Sequence, residues 1–197
     1  MYYPELTQTT QGIQYVIDIC CKERNIAIAV SEQVDKLRNY MQTLDPSSIN
    51  FAKHDIFNKL KIKAYWEKFV QLADGLNDTI ERFGAHGLVL NNTVATLKNK
   101  KVSSDIIINN VRREIDASDN VPAETLQQML VAEQSMQMLE NLINEYSALR
   151  KRVQDIQSVC IVAFRQAILI AKTQDSFAKI NTVAYESNYR AVKMLLD

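Results

Sequence analysis

Residues 139–171 read LENLINEYSALRKRVQDIQSVCIVAFRQAILIA, and their apolar positions decide the fold class. Taken at alternating three- and four-residue steps they give Leu139, Leu142, Tyr146, Leu149, Val153, Ile156, Cys160, Ala163, Ala167 and Ile170. A seam sustained over several heptads is the pattern of a helix packed along its length against other helices. No proline follows Pro122 and no glycine follows Gly87, so no strong helix breaker interrupts the stretch from Pro122 onward. Unbroken to Asp197, that stretch would approach ~110 Å at ~1.5 Å per residue. The expectation is an all-α, elongated antiparallel helical bundle of long coiled-coil-like helices.

Composition agrees. Four glycines and three prolines in 197 residues leave few turns and long helices. A formal net charge of zero argues against a general nucleic-acid binder, which needs a basic face to displace counterions. Three cysteines, two of them the adjacent Cys20 and Cys21, make a poor disulfide framework and are expected to be reduced and buried like Cys160. The opening Met-Tyr-Tyr-Pro-Glu carries no basic and apolar regions of a secretory signal. Cytoplasmic localisation is therefore expected, with export by a signal-less route left open.

Outward from the long seam, residues 1–9 read as a lead-in and a first helix begins near Thr9 or Thr10. Its seam is Ile13, Val16, Cys20, Ala27, Val30, Val34, Leu37, Met41 and Leu44, interrupted at Glu23. The run Ile26-Ala-Ile-Ala-Val30 is apolar on every face, which predicts cover from more than one neighbour. Asp45-Pro46-Ser47-Ser48 is the clearest stop, with proline suited to the first turn of a new helix. That second helix is expected to carry Ile49, Ala52, Ile56 and Leu60. After a slip in register it continues with Ile62, Trp66, Phe69, Ala73, Leu76, Ile80 and Phe83. Gly84-Ala-His-Gly87 predicts a kink or short break, with Gly84 and Gly87 as a candidate hinge. The competing reading is that the small residues admit a closely packed neighbour. Leu90, Val94 and Leu97 carry the helix on to about Asn99.

From Lys100 to Val121 the long-helix pattern fails. Ser104 is placed to cap a short helix bearing Ile107, Val111 and Ile115, while the β-branched Ile106, Ile107 and Ile108 suit extended chain equally. Pro122 then opens the last long helix with Glu124 in its first turn. A second break is expected at residues 172–176, recapped by Thr173 or Asp175. Short connections make neighbouring helices antiparallel. The expected molecule is a single domain: a four-helix body from about 10–82 and 138–197, and a two-helix hairpin extension at about 83–137 tipped by 100–121. The apolar runs 159–164 and 167–171 belong to the thick part of the body.

Catalytic chemistry is not visible. His54 and His86 lack a carboxylate at metal-ligand spacing, and no HExxH, CxxC pair, phosphate-binding loop or Gly-x-Ser-x-Gly occurs. No enzyme activity, cofactor, metal or small-molecule substrate is expected. The run 159–171 contains Arg165 and Gln166 and is shorter than the ~20 residues that span a bilayer, so a buried core helix is expected there. The candidate working surface is the hairpin tip. Lys98, Lys100, Lys101, Arg112 and Arg113 surround Val102, Ile106, Ile107, Ile108 and Val111, opposed locally by Asp105. Basic residues around an apolar cluster suit an anionic membrane surface or an acidic partner groove.

Two readings of function follow. The first is a non-enzymatic helical interaction or assembly protein, binding other helical proteins or itself through its seams and tip. The second takes the helical body with a projecting, apolar-tipped hairpin as similar to cytolysin A-type and xenorhabdolysin-type pore-forming proteins. That resemblance is one of architecture, without a shared residue motif or the long hydrophobic tongue. It implies a component that acts beside a more hydrophobic partner.

Overall fold

The computed structural model describes residues 3–22, 25–53, 55–173 and 178–196. In these residues the chain forms α1 (Pro4–Lys22), α2 (Asn25–Thr43), a 3₁₀ turn (Pro46–Ser48), α3 (Ile56–Asp116), α4 (Ala123–Thr173) and α5 (Ala178–Leu196), with no strand. The all-α expectation holds. The chain divides into two compact units, one of Met1–Ile26 with Leu88–Arg150, the other of Ala27–Gly87 with Lys151–Asp197.

In the first unit three helices meet: α1, the later part of α3 and the earlier part of α4. Ion pairs Lys101–Glu140 at 2.9 Å and Arg112–Glu133 fix α3 and α4 antiparallel. The Tyr146 hydroxyl donates to the Cys20 carbonyl at 2.9 Å, and Leu6 lies beside Gln128 and Val131, so α1 runs parallel to α4. The expected two-helix extension therefore has a third member. Its cause is a seam that starts earlier than Thr9: Leu6, Thr9, Ile13, Ile17 and Cys20 are all buried, and Pro4 occupies the first helical position, where a missing N–H costs nothing.

The connector also differs from expectation. α3 runs on to Asp116, and only residues 117–122 turn the chain. Its seam continues from Leu97 through the partly buried Lys101 and the buried Ser104 to Ile108, Val111 and Ile115. Two polar side chains in seam positions hide this continuity from a reading of apolar periodicity. Nor does α3 break at Gly84 and Gly87. A Cβ on Gly84 would stand 2.8 Å from Gln157 Nε2, and one on Gly87 would stand 3.5 Å from Val153 Cγ1, so these glycines admit α4.

The second unit draws on α2, the earlier part of α3, the end of α4, and α5. The seam from Trp66 to Phe83 is buried as expected, and so are Val153, Ile156, Cys160, Ala163 and Ala167. Phe51, Tyr65, Trp66, Phe69 and Tyr185 form a connected aromatic cluster with neighbouring ring centroids 5.0–6.4 Å apart. Such pairs add ~0.5–1.5 kcal/mol each to their area burial. Asn188 donates to Gln166, and Arg38 donates to the Leu196 carbonyl, which ties α5 back onto α4 and α2. The expected recapping residues Thr173 and Asp175 lie outside the side chains described.

Three expectations for this unit are corrected. Pro46 does open a helical turn, with Asp45 accepting from the Ser47 amide at 2.9 Å, but that turn is the short 3₁₀ segment and not the second helix. α3 starts at Ile56, where Asp55 accepts from the Asn58 amide at 2.8 Å, and the seam Ile49, Ala52, Ile56, Leu60 does not form. Finally, the runs near 26–30 and 159–171 are not covered on all faces: Ile28, Val162 and Leu169 are exposed beside buried Val30, Ala163 and Ala167.

Candidate functional site

The ten residues of the expected tip surface are sorted by the helical register of α3. Ile108 (4% exposed) and Val111 face the core with Leu97 and Ile115, and Ile107 is half-buried. Lys101 is engaged by Glu140 and, at 3.3 Å, by Asp105, and those two carboxylates, Glu140 first, hold its ammonium above the usual lysine range. Arg112 pairs with Glu133 across to α4. Lys100 lies over α1, where a Cβ on Gly12 would collide with its ammonium. These contacts consume most of the expected surface in holding the unit together.

What remains outward is a narrower strip. Val102 is 61% exposed and Ile106 is 58% exposed, and Lys98 and Arg113 are exposed beside them. Among the described residues no carboxylate lies in ion-pair range of Lys98 or Arg113. The strip extends back along α3. Leu88, 63% exposed, and the exposed Ala95 precede Val102 at seven-residue intervals. Seven residues is two helical turns, so these side chains share one face, and Ile106 adjoins it one turn further on. At ~100° per residue this face lies opposite the buried seam of Leu90, Val94, Leu97, Ile108 and Val111. α3 thus carries two heptad-spaced apolar stripes, one inside the unit and one outside. The sequence held the signal for the outer stripe in the 88–95–102 spacing, masked by the stronger inner one.

Among the described residues no group of three or more His, Cys, Asp or Glu could hold a metal ion, and His86 is a half-buried side chain on α3. Cys20 and Cys160 are buried, and burial pushes the Cys160 thiol up to about 12. Among the described residues no helix is long and apolar enough to cross a membrane. Comparison with protein-family models, with curated proteins and with solved structures returned no match.

Proposed function

We propose that this chain is a non-enzymatic helical interaction protein, and that α3 docks an amphipathic helix of a partner along Leu88, Ala95, Val102 and Ile106. The observation that carries the reading is the heptad spacing of exposed apolar side chains on the face opposite the core seam. Isolated exposed leucines and valines are ordinary on protein surfaces. A stripe at coiled-coil spacing is a ready seam for another helix. Leu88, Val102 and Ile106 each retain roughly half of the ~1.5–3 kcal/mol that full burial of an aliphatic side chain supplies. Lys98 and Arg113 flank the stripe, which favours a partner helix with Asp or Glu beside its apolar positions.

The test is the double substitution Val102→Glu/Ile106→Glu, introduced into a tagged chain expressed in its own source. Sedimentation of the gently lysed extract should show the parent in a heavier complex and the variant released from it, with equal thermal unfolding of the two purified chains. A parent that sediments as a monomer, or a variant that stays in the complex, would refute the docking role.

A further inference from the structure

The first turns of α3 present a second outward face, unrelated in position or residues to the stripe above. Ile56 is 75% exposed, Phe57 is 80% exposed and Leu60 is 61% exposed. They stand within five consecutive residues, on the side of α3 away from the buried Asn58, Tyr65, Trp66 and Phe69. Here the helix is apolar toward the core and apolar again toward the outside. At ~100° per residue Leu60 marks the middle of the outer face, with Ile56, Phe57 and the exposed Ala64 around it. Lys59 and Lys63 border that face on one side, and Lys61 and Lys68 border it on the other.

Charge gathers at this place in a chain whose formal net charge is zero. Between residues 53 and 68, five lysines stand against Asp55 and Glu67. The two carboxylates are engaged locally: Lys53 pairs with Asp55 at 2.9 Å and Lys63 with Glu67 at 3.7 Å. Lys59, Lys61 and Lys68 have no carboxylate in ion-pair range among the described residues.

We infer that this face seats α3 on the surface of an anionic lipid bilayer, with Ile56, Phe57 and Leu60 entering the headgroup–acyl boundary and the bordering lysines meeting lipid phosphates and carboxylates. The lysine stems are long enough to lie along the apolar face while their ammonium groups stay in the polar layer. Both the order of residues around the helix and the sign of the charge suit an interfacial amphipathic face. A second copy of the chain fits less well, because a symmetric contact would set lysine against lysine. An acidic protein partner fits less well too. Ile56, Phe57 and Leu60 span little more than one helical turn, too short a stripe to hold a partner helix in register, whereas shallow insertion into a bilayer requires no matching groove. This surface neither needs the helix-docking stripe nor supports it.

The test uses the full chain with sucrose-loaded vesicles, either phosphatidylcholine alone or phosphatidylcholine mixed with phosphatidylserine. The parent should co-sediment with the serine-containing vesicles only, and added salt should weaken binding at least about tenfold through screening. Phe57→Ser/Leu60→Ser and Lys59→Glu/Lys61→Glu should each lower binding at least about tenfold while thermal unfolding stays unchanged, because all four side chains are exposed. Val102→Glu/Ile106→Glu should bind vesicles like the parent, which separates this surface from the stripe. Failure of the parent to bind anionic vesicles, equal binding to both vesicle types, or parental binding by both α3-start variants would overturn the inference. Capture of an acidic protein that shields Phe57 while vesicles are ignored would overturn it as well.

Discussion

The hydroxyls of Tyr65 and Tyr185 lie 2.6 Å apart in the core of the second unit, and Tyr65 also donates to the Leu44 carbonyl at 2.8 Å. A phenol has one proton to give. Since that of Tyr65 goes to Leu44, Tyr185 is the donor to Tyr65. Tyr189 donates in the same way to the Met41 carbonyl at 2.5 Å. The Met41 carbonyl lies in the last turn of α2 and the Leu44 carbonyl just past its end, where no intrahelical partners remain. α3 and α5 thus reach in with tyrosines and satisfy them.

Removing a donor from this chain should cost according to what it strands. Tyr65→Phe leaves both the Leu44 carbonyl and the Tyr185 hydroxyl without their partner, for an expected loss of about 1–3 kcal/mol. Tyr185→Phe leaves the Tyr65–Leu44 bond intact and should cost about 0.5–1.5 kcal/mol. Urea midpoints at matched slope give both values, and the reverse order would contradict the assigned donor direction.

Alkali should weaken the second unit in a defined window. Burial pushes the Cys160 thiol from its ordinary 9.0 up to about 12. Burial, and then Asp45, push Tyr189 from 10.0 up to about 12. Burial raises Tyr65 and Tyr185 further still. For a raised pKa the unfolded chain gives up its proton first, so stability is whole below the unfolded value and is lost as pH climbs toward the folded one. Stability should be level with respect to these groups well below pH 9, then fall as pH rises, the Cys160 and Tyr189 parts being spent by about pH 12 while those of Tyr65 and Tyr185 continue. Cys160→Ala should flatten the decline most between 9.0 and 10.0, below the midpoint of tyrosine ionisation in the unfolded chain. Denaturant titrations across the window check both points.

Ala163 is completely buried in α4, close to Phe164 and Cys160 in sequence and equally closed off. Ala163→Leu should overpack this level at a cost of about 1–3 kcal/mol. Lys151→Ala, on the exposed side of the same helix, should change stability by less than about 0.5 kcal/mol. Equal midpoints for the two variants would show that α4 is not packed as described.

The tip residues should separate by register rather than by hydrophobicity. Ile108→Ala removes a buried side chain and should cost about 2–5 kcal/mol, while Val102→Ala on the outer face should cost under about 0.5 kcal/mol. Thermal melts of the two variants provide the comparison, and a Val102 effect as large as that of Ile108 would reverse the two faces of α3.

How much of this was legible in the sequence follows from where the apolar pattern was clean. The runs from Trp66 to Phe83 and from Val153 to Ala167 contain no polar residue in a seam position, and both are buried as read. The pattern misled at Lys101 and Ser104. Periodicity sees these only as gaps, yet the lysine finds Glu140 across the interface and the serine is small enough to bury. It misled again at Ile56 and Leu60, which have helical spacing but point away from the core because Asp55 starts the helix in a register that buries Asn58. Leu6 was lost because a lone apolar residue before Thr9 carries too little periodicity to mark a helix. Of the expected tip surface, Lys98, Val102, Ile106 and Arg113 remain outward, and the rest is spent on packing and ion pairs. Composition cannot divide those two groups, since both mix lysine, arginine, valine and isoleucine; helical register divides them only once α3 is known to run unbroken past Lys101 and Ser104.

The most direct measurement of the docking role is photo-crosslinking from α3 in the native source. A photoreactive side chain is placed singly at Leu88, Ala95, Val102 and Ile106, and separately at Thr96, Ser103 and Glu114, which are exposed but lie about 90° around the helix. Crosslinks to one common partner from the first set, with little or none from the second, are the result expected of a helix seated on the outer stripe. Equal yields from both sets, or no product from either, would contradict it.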